Sequence, residues 1–280
     1  MMAALARRNA ARPPVWFMRQ AGRYHRHYQV LRARHEFMDL CKVPALACEV
    51  TMGPIEDFGF DAAILFSDLL FPLEAMGMGL RYAPGPLLDW HLRGLDDLPR
   101  LQGGAARAAH MDFQAEAIRL LKQRLPSDRA LIGFVGGPFT LFAYAAAGSH
   151  ENATQALSGL ENGTYAAFNE KLLDLLAANM KLQAAAGTDC VALFDTAAGE
   201  IDAATYGTHV VPVLADLLAR FRRLDPTTPV TYYSRGTGPA YWDQLFGLPF
   251  QCLGVDWRHS MPEVLTRYAD RWAIQGNVDP

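Results

Sequence analysis

Residues 164–195 read TYAAFNEKLLDLLAANMKLQAAAGTDCVALFD, and this stretch decides the fold class. Its first part, 164–186, places apolar residues at i, i+3 and i+4, the spacing of an amphipathic helix. The run DCVALFD at 189–195 is almost continuously apolar, as in a parallel strand that is covered on both faces. A helix that leads directly into a buried strand predicts an α/β protein.

The same alternation continues along the rest of the chain. Further candidate strands are DAAILF (61–66), ALIGFVG (130–136), PVTYYS (229–234), CLGVDW (252–257), WAIQGN (272–277) and, near the start, PVWFMR (14–19). Residues 111–125 and 210–223 have helical periodicity. Because no GxGxxG or Walker turn is present, seven strands favour a (β/α)8 TIM barrel over a doubly wound sheet, although periodicity alone leaves both open.

Composition limits the class of protein. The chain has 280 residues, of which 51% are hydrophobic and 20% charged, with a net charge of −3 spread along its length. This suits one large core, and the lack of a basic stripe argues against a nucleic-acid partner. The four cysteines include no CxxC pair, so we expect reduced, buried thiols, no disulfides and no metal site.

The start of the chain, MMAALARRNAARPP, is short and basic and does not resemble a signal peptide. No apolar run reaches the roughly 18 residues that a membrane span needs. We therefore expect a soluble, cytoplasmic protein without a membrane partner. We expect residues 1–12 to be disordered and residues 13–280 to form one barrel domain.

Polar residues follow the predicted strands. In chain order the strand ends are Arg19-Gln20, Ser67-Asp68, Gly136-Gly137-Pro138, Asp195-Thr196, Ser234-Arg235, Asp256-Trp257 and Asn277. Each alone is equally well explained as a helix cap or loop residue. In a barrel all of them meet at the C-terminal rim, where such folds carry their active sites. Their joint placement therefore favours a functional site.

The segment PPVWFMRQAGRYHRHYQVLRARHEF contains five arginines within sixteen residues, 19–34. Arginine forks bind carboxylates bidentately and stay charged at any working pH. Interleaved aromatic residues make a half-buried pocket wall plausible. A solvated basic loop is the alternative, and the residues alone do not decide between the two.

Asp68 lies directly after an apolar strand and before LLFPLEAMGMGL. A carboxylate among apolar residues is costly to bury without a cation or an N–H partner. Asp68 therefore either caps the following helix or binds a group that donates hydrogen bonds, and both interpretations stay open.

Seven segments, in order, resemble one known family: PVWFMRQAGRY, LCKVPALACEVTMGPIEDFGFDAAILFSDLL, AMGMGL, GFVGGPFTLFAY, LFDTAAGE, GVDW and IQGNVDP. They look like the signature segments of the uroporphyrinogen decarboxylases, and the similarity extends from about residue 13 to residue 280. The resemblance implies a TIM barrel, a homodimer and a carboxy-lyase that needs no metal or organic cofactor.

The resemblance also implies a reaction and a set of residues. The enzyme would convert the four acetate side chains of uroporphyrinogen III to methyl groups, giving coproporphyrinogen III in haem biosynthesis. The residues that match the family's catalytic positions are Asp68, Arg19 and Tyr144. Substrate contacts are expected from these three and from Met18, Gln20, Arg23, Arg32, Phe194 and Thr196.

The chain departs from the family pattern at its end. Family members normally continue beyond GNVDP into a last strand that carries a histidine in an N-L-G-H-G-type motif, whereas this sequence stops at Pro280. We therefore expect a barrel without its last strand–helix unit, and expect these 280 residues alone to be unstable or poorly active.

Two other functions remain open at this stage. A corrinoid-linked methyltransferase relative would share the barrel but would need clustered Cys and His ligands for zinc, which the sequence lacks. A non-catalytic tetrapyrrole-binding relative would bind the same ligand without removing a carboxylate. Zinc content tests the first alternative, and coproporphyrinogen formation tests the second.

Overall fold

A computed structural model of the protein describes residues 1–9, 12–149 and 154–279. Six parallel strands form a curled half-barrel in the order β1, β4, β5, β6, β7, β8. Their bounds are β1 Ala62–Ile64, β4 Ala130–Gly136, β5 Cys190–Asp195, β6 Val230–Ser234, β7 Cys252–Gly254 and β8 Ala273–Gln275. A separate antiparallel hairpin consists of β2 Arg81–Tyr82 and β3 Pro86–Leu87. The architecture is TIM-barrel-like α/β, as the alternation of helices and strands predicts.

Helices cover the outer face of the sheet. The α-helices are α1 Met2–Leu5, α2 Arg26–Arg32, α3 Phe37–Lys42, α4 Pro44–Phe58, α5 Phe71–Ala75, α6 Asp112–Arg124, α7 Pro138–Ala147, α8 Thr154–Glu161, α9 Thr164–Ala186, α10 Ala203–Thr205, α11 Val211–Leu224, α12 Pro239–Trp242 and α13 Met261–Tyr268. Short 3₁₀ turns occupy Leu95–Arg100, Ala105–Met111, Ala198–Glu200 and Asp243–Leu245, and a π-helical turn at Tyr206–Val210 precedes α11. None of the described helices is long and apolar enough to cross a bilayer.

Alternation along the strands separates two apolar layers. In β4, Ile132 and Phe134 point into the half-barrel, whereas Leu131 and Val135 point towards the helices. All seven residues of β4 are buried, which explains why its sequence is a continuous apolar run rather than an alternating one. Residues at the upper end of each strand therefore face either the barrel mouth or the helix layer according to their parity.

The prediction of a strand at 14–19 is wrong. The segment is extended, but among the described residues its one backbone bond to the edge of β1 runs from the Asp61 N–H to the Val15 carbonyl, at 2.9 Å. Pro13 and Pro14 have no N–H, so a ladder cannot propagate backwards from that contact. Trp16 donates instead to the Gln275 side chain of β8, at 3.0 Å. The other six predicted strands are confirmed, most of them one to three residues shorter than their apolar runs.

The first residues are partly described. We expected disorder over 1–12, and within that range the structure describes helix α1, whose Leu5 packs against the interior face of the half-barrel. The guanidinium of Arg7 donates to the Ala269 carbonyl at 3.3 Å. This start of the chain therefore closes the lower end of the interior, opposite the mouth.

Candidate active site

The floor of the barrel mouth is aromatic. Phe134 and Phe194 point inward from neighbouring strands with ring centroids 5.6 Å apart, and Tyr233 meets Phe194 edge-on at 6.2 Å. Trp16 and Leu69 pack against the same interior cluster. An apolar floor with polar groups around its rim is the usual form of a small-molecule site.

Asp68 is located at this rim and has two protein donors. Its Oδ1 accepts the Leu70 N–H at 2.8 Å, and its Oδ2 accepts the hydroxyl of Tyr82. Burial raises the pKa of Asp68, while the two hydrogen bonds oppose that rise because they stabilise the carboxylate. The Leu70 contact lies at the turn into α5, so Asp68 both orders this turn and keeps a second oxygen directed at Tyr82.

Tyr82 was not predicted as a site residue. It lies on β2 of the hairpin, and its ring packs against Phe37 with centroids 4.3 Å apart. Burial, followed by the charge of Asp68, raises the pKa of Tyr82, so the phenol stays protonated and acts as a donor. In the sequence, Tyr82 comes shortly before Pro-Gly-Pro, a pattern that predicts a turn. The pattern does not predict that the tyrosine contacts Asp68, fourteen residues earlier in the chain.

Tyr144 belongs to the same group of residues. It is half-buried on α7, packs against the outer core layer, and lies near enough to Tyr82 to contribute to raising the pKa of that phenol. The structure thus brings together two residues that sequence reasoning selected separately, Asp68 and Tyr144, and adds Tyr82 to them.

The arginine loop, residues 14–25, runs alongside β1, to which it is joined by the Gln20–Ala62 and Asp61–Val15 hydrogen bonds. Arg19 and Arg23 are exposed, and within the described residues neither guanidinium has a hydrogen bond or ion pair. Arg19 nevertheless acts on Tyr233 by lowering the pKa of that phenol, so its charge reaches the mouth. Unpaired guanidinium groups beside an apolar floor are available to an anionic ligand.

Gln20 and Met18 flank Arg19 and differ in orientation. Gln20 is only 1% exposed; its amide donates to the Ala62 carbonyl at 3.1 Å and accepts the Phe17 N–H at 3.2 Å. Its described role is therefore to fasten the arginine loop to β1. Met18 is exposed at the tip of the same turn.

Arg32 lies apart from these groups, in the last turn of α2. Its guanidinium donates to the His35 carbonyl at 2.9 Å and pairs with Glu36 at 3.7 Å. These contacts hold Arg32 at its own helix end, in contrast to the unpaired Arg19 and Arg23.

Asp195 lies on the helix-facing side of β5 and fixes the end of this strand by hydrogen bonds. It is fully buried at the end of β5 and accepts the Thr140 N–H at 3.1 Å, the Thr140 hydroxyl at 2.7 Å and the Tyr232 hydroxyl at 3.1 Å. Burial raises the pKa of Asp195 against these bonds. Its neighbours Phe194 and Thr196 therefore stand on a fixed strand end, with Phe194 in the floor and Thr196 half-buried in the turn that follows.

Two further arginines at the rim were not selected as site residues, although their strand ends were noted. Arg235 follows β6, and Arg258 follows β7 with its guanidinium on the buried carboxylate of Asp256. The sequence feature that could have identified them is their position, because each is a cationic residue shortly after a parallel strand. Within the described residues, no group of three or more His, Cys, Asp and Glu side chains is arranged to hold a metal ion.

Comparison with known proteins supplies relatives over the whole chain. The family model for uroporphyrinogen decarboxylase (URO-D) matches residues 1–280. A uroporphyrinogen decarboxylase of Syntrophotalea carbinolica is 38% identical over 276 residues, covering 98% of this chain and 79% of the relative. That of Mycolicibacterium smegmatis is 38% identical over 287 residues, covering 100% and 80%.

A solved structure gives the same architecture. A methyltransferase from Methanosarcina mazei superposes with a TM-score of 0.83, covering 99% of this chain and 81% of its own, at 18% sequence identity. At this identity the likeness supports the barrel fold alone.

Proposed function

The chain belongs to the uroporphyrinogen decarboxylase family, and we propose that it performs the family's reaction with Asp68 and the guanidinium groups above the barrel mouth. It is accordingly a carboxy-lyase of porphyrin biosynthesis, acting on uroporphyrinogen. The observation that carries the mechanism is the carboxylate of Asp68 beyond the end of β1, whose described hydrogen bonds come from two neutral donors, the Leu70 N–H and the Tyr82 hydroxyl.

The chemistry requires an electron sink. Loss of CO2 from a pyrrole acetate leaves an electron pair on the side-chain carbon. Protonation of the adjacent ring carbon first makes the ring a cation, which takes up that pair as the C–C bond breaks. A proton then adds to the side-chain carbon and the ring proton leaves. Each of the four decarboxylations therefore consumes one proton and gives one methyl group and one CO2.

Asp68 suits the stabilisation of that cation. An ionised carboxylate accepts hydrogen bonds, and the pyrrole N–H groups of the substrate are donors that become more acidic as the ring gains charge. In a site with little water, a fixed negative charge stabilises a developing positive charge more strongly than it would in solution. Asp68 must be ionised to act, so the rise in its pKa on burial moves the start of activity to higher pH than an exposed aspartate would give.

The other predicted residues have supporting roles in this proposal. Arg19 and Arg23 bind substrate carboxylates, because their guanidinium groups are exposed and lack protein partners among the described residues. Tyr144 orders the Asp68–Tyr82 pair beside the reacting acetate, and Thr196 donates to a substrate carboxylate. Phe194, with Met18 above it, provides apolar contact with the macrocycle.

Direct contacts of Gln20 and Arg32 with the substrate remain part of this proposal. The structure supports an indirect contribution from Gln20, through its bonds to Ala62 and Phe17. Arg32 would have to leave His35 and Glu36 to reach a ligand.

Three further proposals concern the complete barrel, the oligomeric state and the location of the protein. The half-barrel would be one part of an eight-stranded barrel, in which the Trp16–Gln275 contact spans the side between β1 and β8. A homodimer is proposed from the family, and the exposed rings of Phe17 and Phe58, which flank Phe60, offer apolar surface for it. A cytoplasmic location is proposed from the expected reduced state of the cysteines, which are free and buried.

Anaerobic turnover tests the function. Purified protein is incubated with uroporphyrinogen III, freshly prepared by chemical reduction of uroporphyrin III, and the products are oxidised and separated by carboxylate number. We expect the four-carboxylate product, coproporphyrinogen III, to accumulate. Binding of the tetrapyrrole without any loss of carboxylate would instead establish a binding protein.

A further inference from the structure

The ends of β6 and β7, which are three and four strands away from β1 in the sheet order, carry two arginines. Arg235 follows Tyr233 by two residues and so continues the interior side of β6. Its side chain is 34% exposed, and its described charge partner is Glu200 at 3.6 Å, with no hydrogen bond between them. Such an ion pair is weak and easily exchanged for another anion.

Arg258 is more firmly held. Its Nε and Nη2 donate to the two oxygens of Asp256, whose side chain is 1% exposed and which also accepts the Gly236 N–H at 2.9 Å. The hydrogen bond to Asp256 raises the pKa of Arg258, so the guanidinium is permanently charged. The side chain of Arg258 is 47% exposed, and its Nη1 has no hydrogen bond among the described residues.

The position of Tyr233 shows where the guanidinium groups of Arg235 and Arg258 lie relative to the aromatic floor. Burial, followed by Asp256, raises the pKa of Tyr233, and Arg235, Arg258 and Arg19 all act to lower it. Three guanidinium groups from different loops therefore lie within electrostatic range of one inward-facing phenol.

We propose that Arg235 and Arg258 form a second carboxylate-binding subsite, which holds substrate carboxylates on the side of the macrocycle away from Asp68. This inference rests on the proposed function, whose substrate carries carboxylates around its entire periphery. The arginine loop binds carboxylates at one edge of the macrocycle. Without a second subsite, the remaining carboxylates would lie over an apolar floor with no cationic partner. A carboxylate between the two arginines would take the place of Glu200 as the partner of Arg235 and use the outward donors of Arg258.

The backbone around this subsite is rigid. The Gly199 N–H donates to the Arg235 carbonyl at 3.0 Å, and a Cβ on Gly199 would lie 2.5 Å from the Cα of Gly236. The loops after β5 and β6 are thus packed backbone to backbone, and the loop after β7 is joined to them by the Asp256 carboxylate, which accepts the Gly236 N–H. A fixed frame favours binding because little conformational freedom is lost when the ligand arrives.

Arg235→Gln is the primary test, with Arg223→Gln, an exposed arginine on the outer face of α11, as the matched control. We measure KM and kcat for uroporphyrinogen III, and the Kd for uroporphyrin from quenching of tryptophan fluorescence. Arg235→Gln should raise KM and Kd about tenfold, the worth of one charge-assisted hydrogen bond, with kcat unchanged. Arg235→Lys should recover part of this loss because it keeps the charge but not the fork.

Arg258 is tested by Arg258→Lys, with the melting temperature measured in parallel because Arg258 also holds Asp256. A raised Kd at an unchanged melting temperature supports the subsite. A Kd for Arg235→Gln equal to that of Arg223→Gln overturns the proposal, as does a fall in kcat at constant KM. Wild-type protein that binds uroporphyrin but releases no CO2 would refute the proposed function, while the comparison of Kd values would still decide the subsite.

Discussion

The hydroxyl of Tyr82 donates a hydrogen bond to Oδ2 of Asp68, so the central carboxylate of the mouth is held by a side chain from outside the barrel. This contact has two consequences. It fixes the orientation of the carboxylate before substrate arrives, which is the preorganisation that electrostatic catalysis requires. It also opposes the effect of burial on the pKa of Asp68 and so extends its ionised range to lower pH.

Replacement of Tyr82 by Phe should move the acidic limb of the kcat profile to higher pH. Burial already raises the pKa of Asp68 and the Tyr82 bond lowers it, so loss of that bond must raise the pKa further. The other groups near the pair are Glu74 on α5, Cys41 on α3 and, beside Tyr82, Tyr144 on α7, and all are unchanged. We expect kcat near neutrality to fall about tenfold, as for loss of a hydrogen bond to a charged group.

Tyr241→Phe is the matched control for that measurement. Its hydroxyl donates to the Ile201 carbonyl at 2.7 Å, away from Asp68, so it loses a bond of the same kind without touching the site. An acidic limb that stays in place in Tyr82→Phe, or that moves equally in Tyr241→Phe, would refute the role of Tyr82.

Arg19→Gln should weaken substrate binding at every pH. Arginine side chains in general stay charged at any working pH, so the ratio of mutant to wild-type KM should be constant between pH 6 and 9. The expected rise in KM is about tenfold or more, because several donors to carboxylate are removed. Steady-state kinetics on Arg19→Gln and on Arg26→Gln, an exposed neighbour on α2, measure it. Equal KM values in the two variants would contradict the assignment.

Stability at acid pH should depend on Asp225, at the opposite end of the barrel. Burial would raise its pKa, but hydrogen bonds from the backbone and hydroxyls of Thr228 and Thr227 outweigh burial and lower it to about 2. An unfolded aspartate titrates near about 3.9, so this stabilisation is fully present above that pH and is lost as pH falls towards 2.

Asp225→Asn should therefore lower the free energy of unfolding at pH 7 by about 1–3 kcal/mol, and the difference from wild type should shrink below pH 4. Urea unfolding at a series of pH values measures this. Because Asp225 is far from the mouth, kcat of the folded variant should be unchanged. A difference from wild type that persists undiminished at pH 2 would show that the shifted pKa is not the cause.

Much of the sheet could be predicted from the sequence because burial on both faces leaves a direct trace. ALIGFVG coincides with β4, and 164–186 coincides with α9, since each is long and bounded by breakers. The prediction of a strand at PVWFMR failed because an apolar run does not show whether its N–H groups have partners, and Pro13 and Pro14 at its start have no N–H to donate. Helix α4 was missed because Gly53 and Pro54 lie inside it, where local propensity argues against a helix.

The site could be predicted in part, for a related reason. Asp68 and Arg19 follow from motif and position, because each lies next to a strong apolar segment. Tyr82, Arg235 and Arg258 enter the site through tertiary contacts that join the hairpin and two distant loops to the mouth. No local pattern encodes such contacts, and so the structure was needed to find them.

The most direct measurement is the rate of coproporphyrinogen III formation by Asp68→Asn. Asparagine keeps the shape and can still accept the Leu70 N–H, but it removes the charge that the account places against the ring cation. We predict a fall in kcat of about 100-fold or more, with uroporphyrin binding and the unfolding midpoint close to wild type. A variant that decarboxylates at the wild-type rate would contradict the central role of the Asp68 carboxylate.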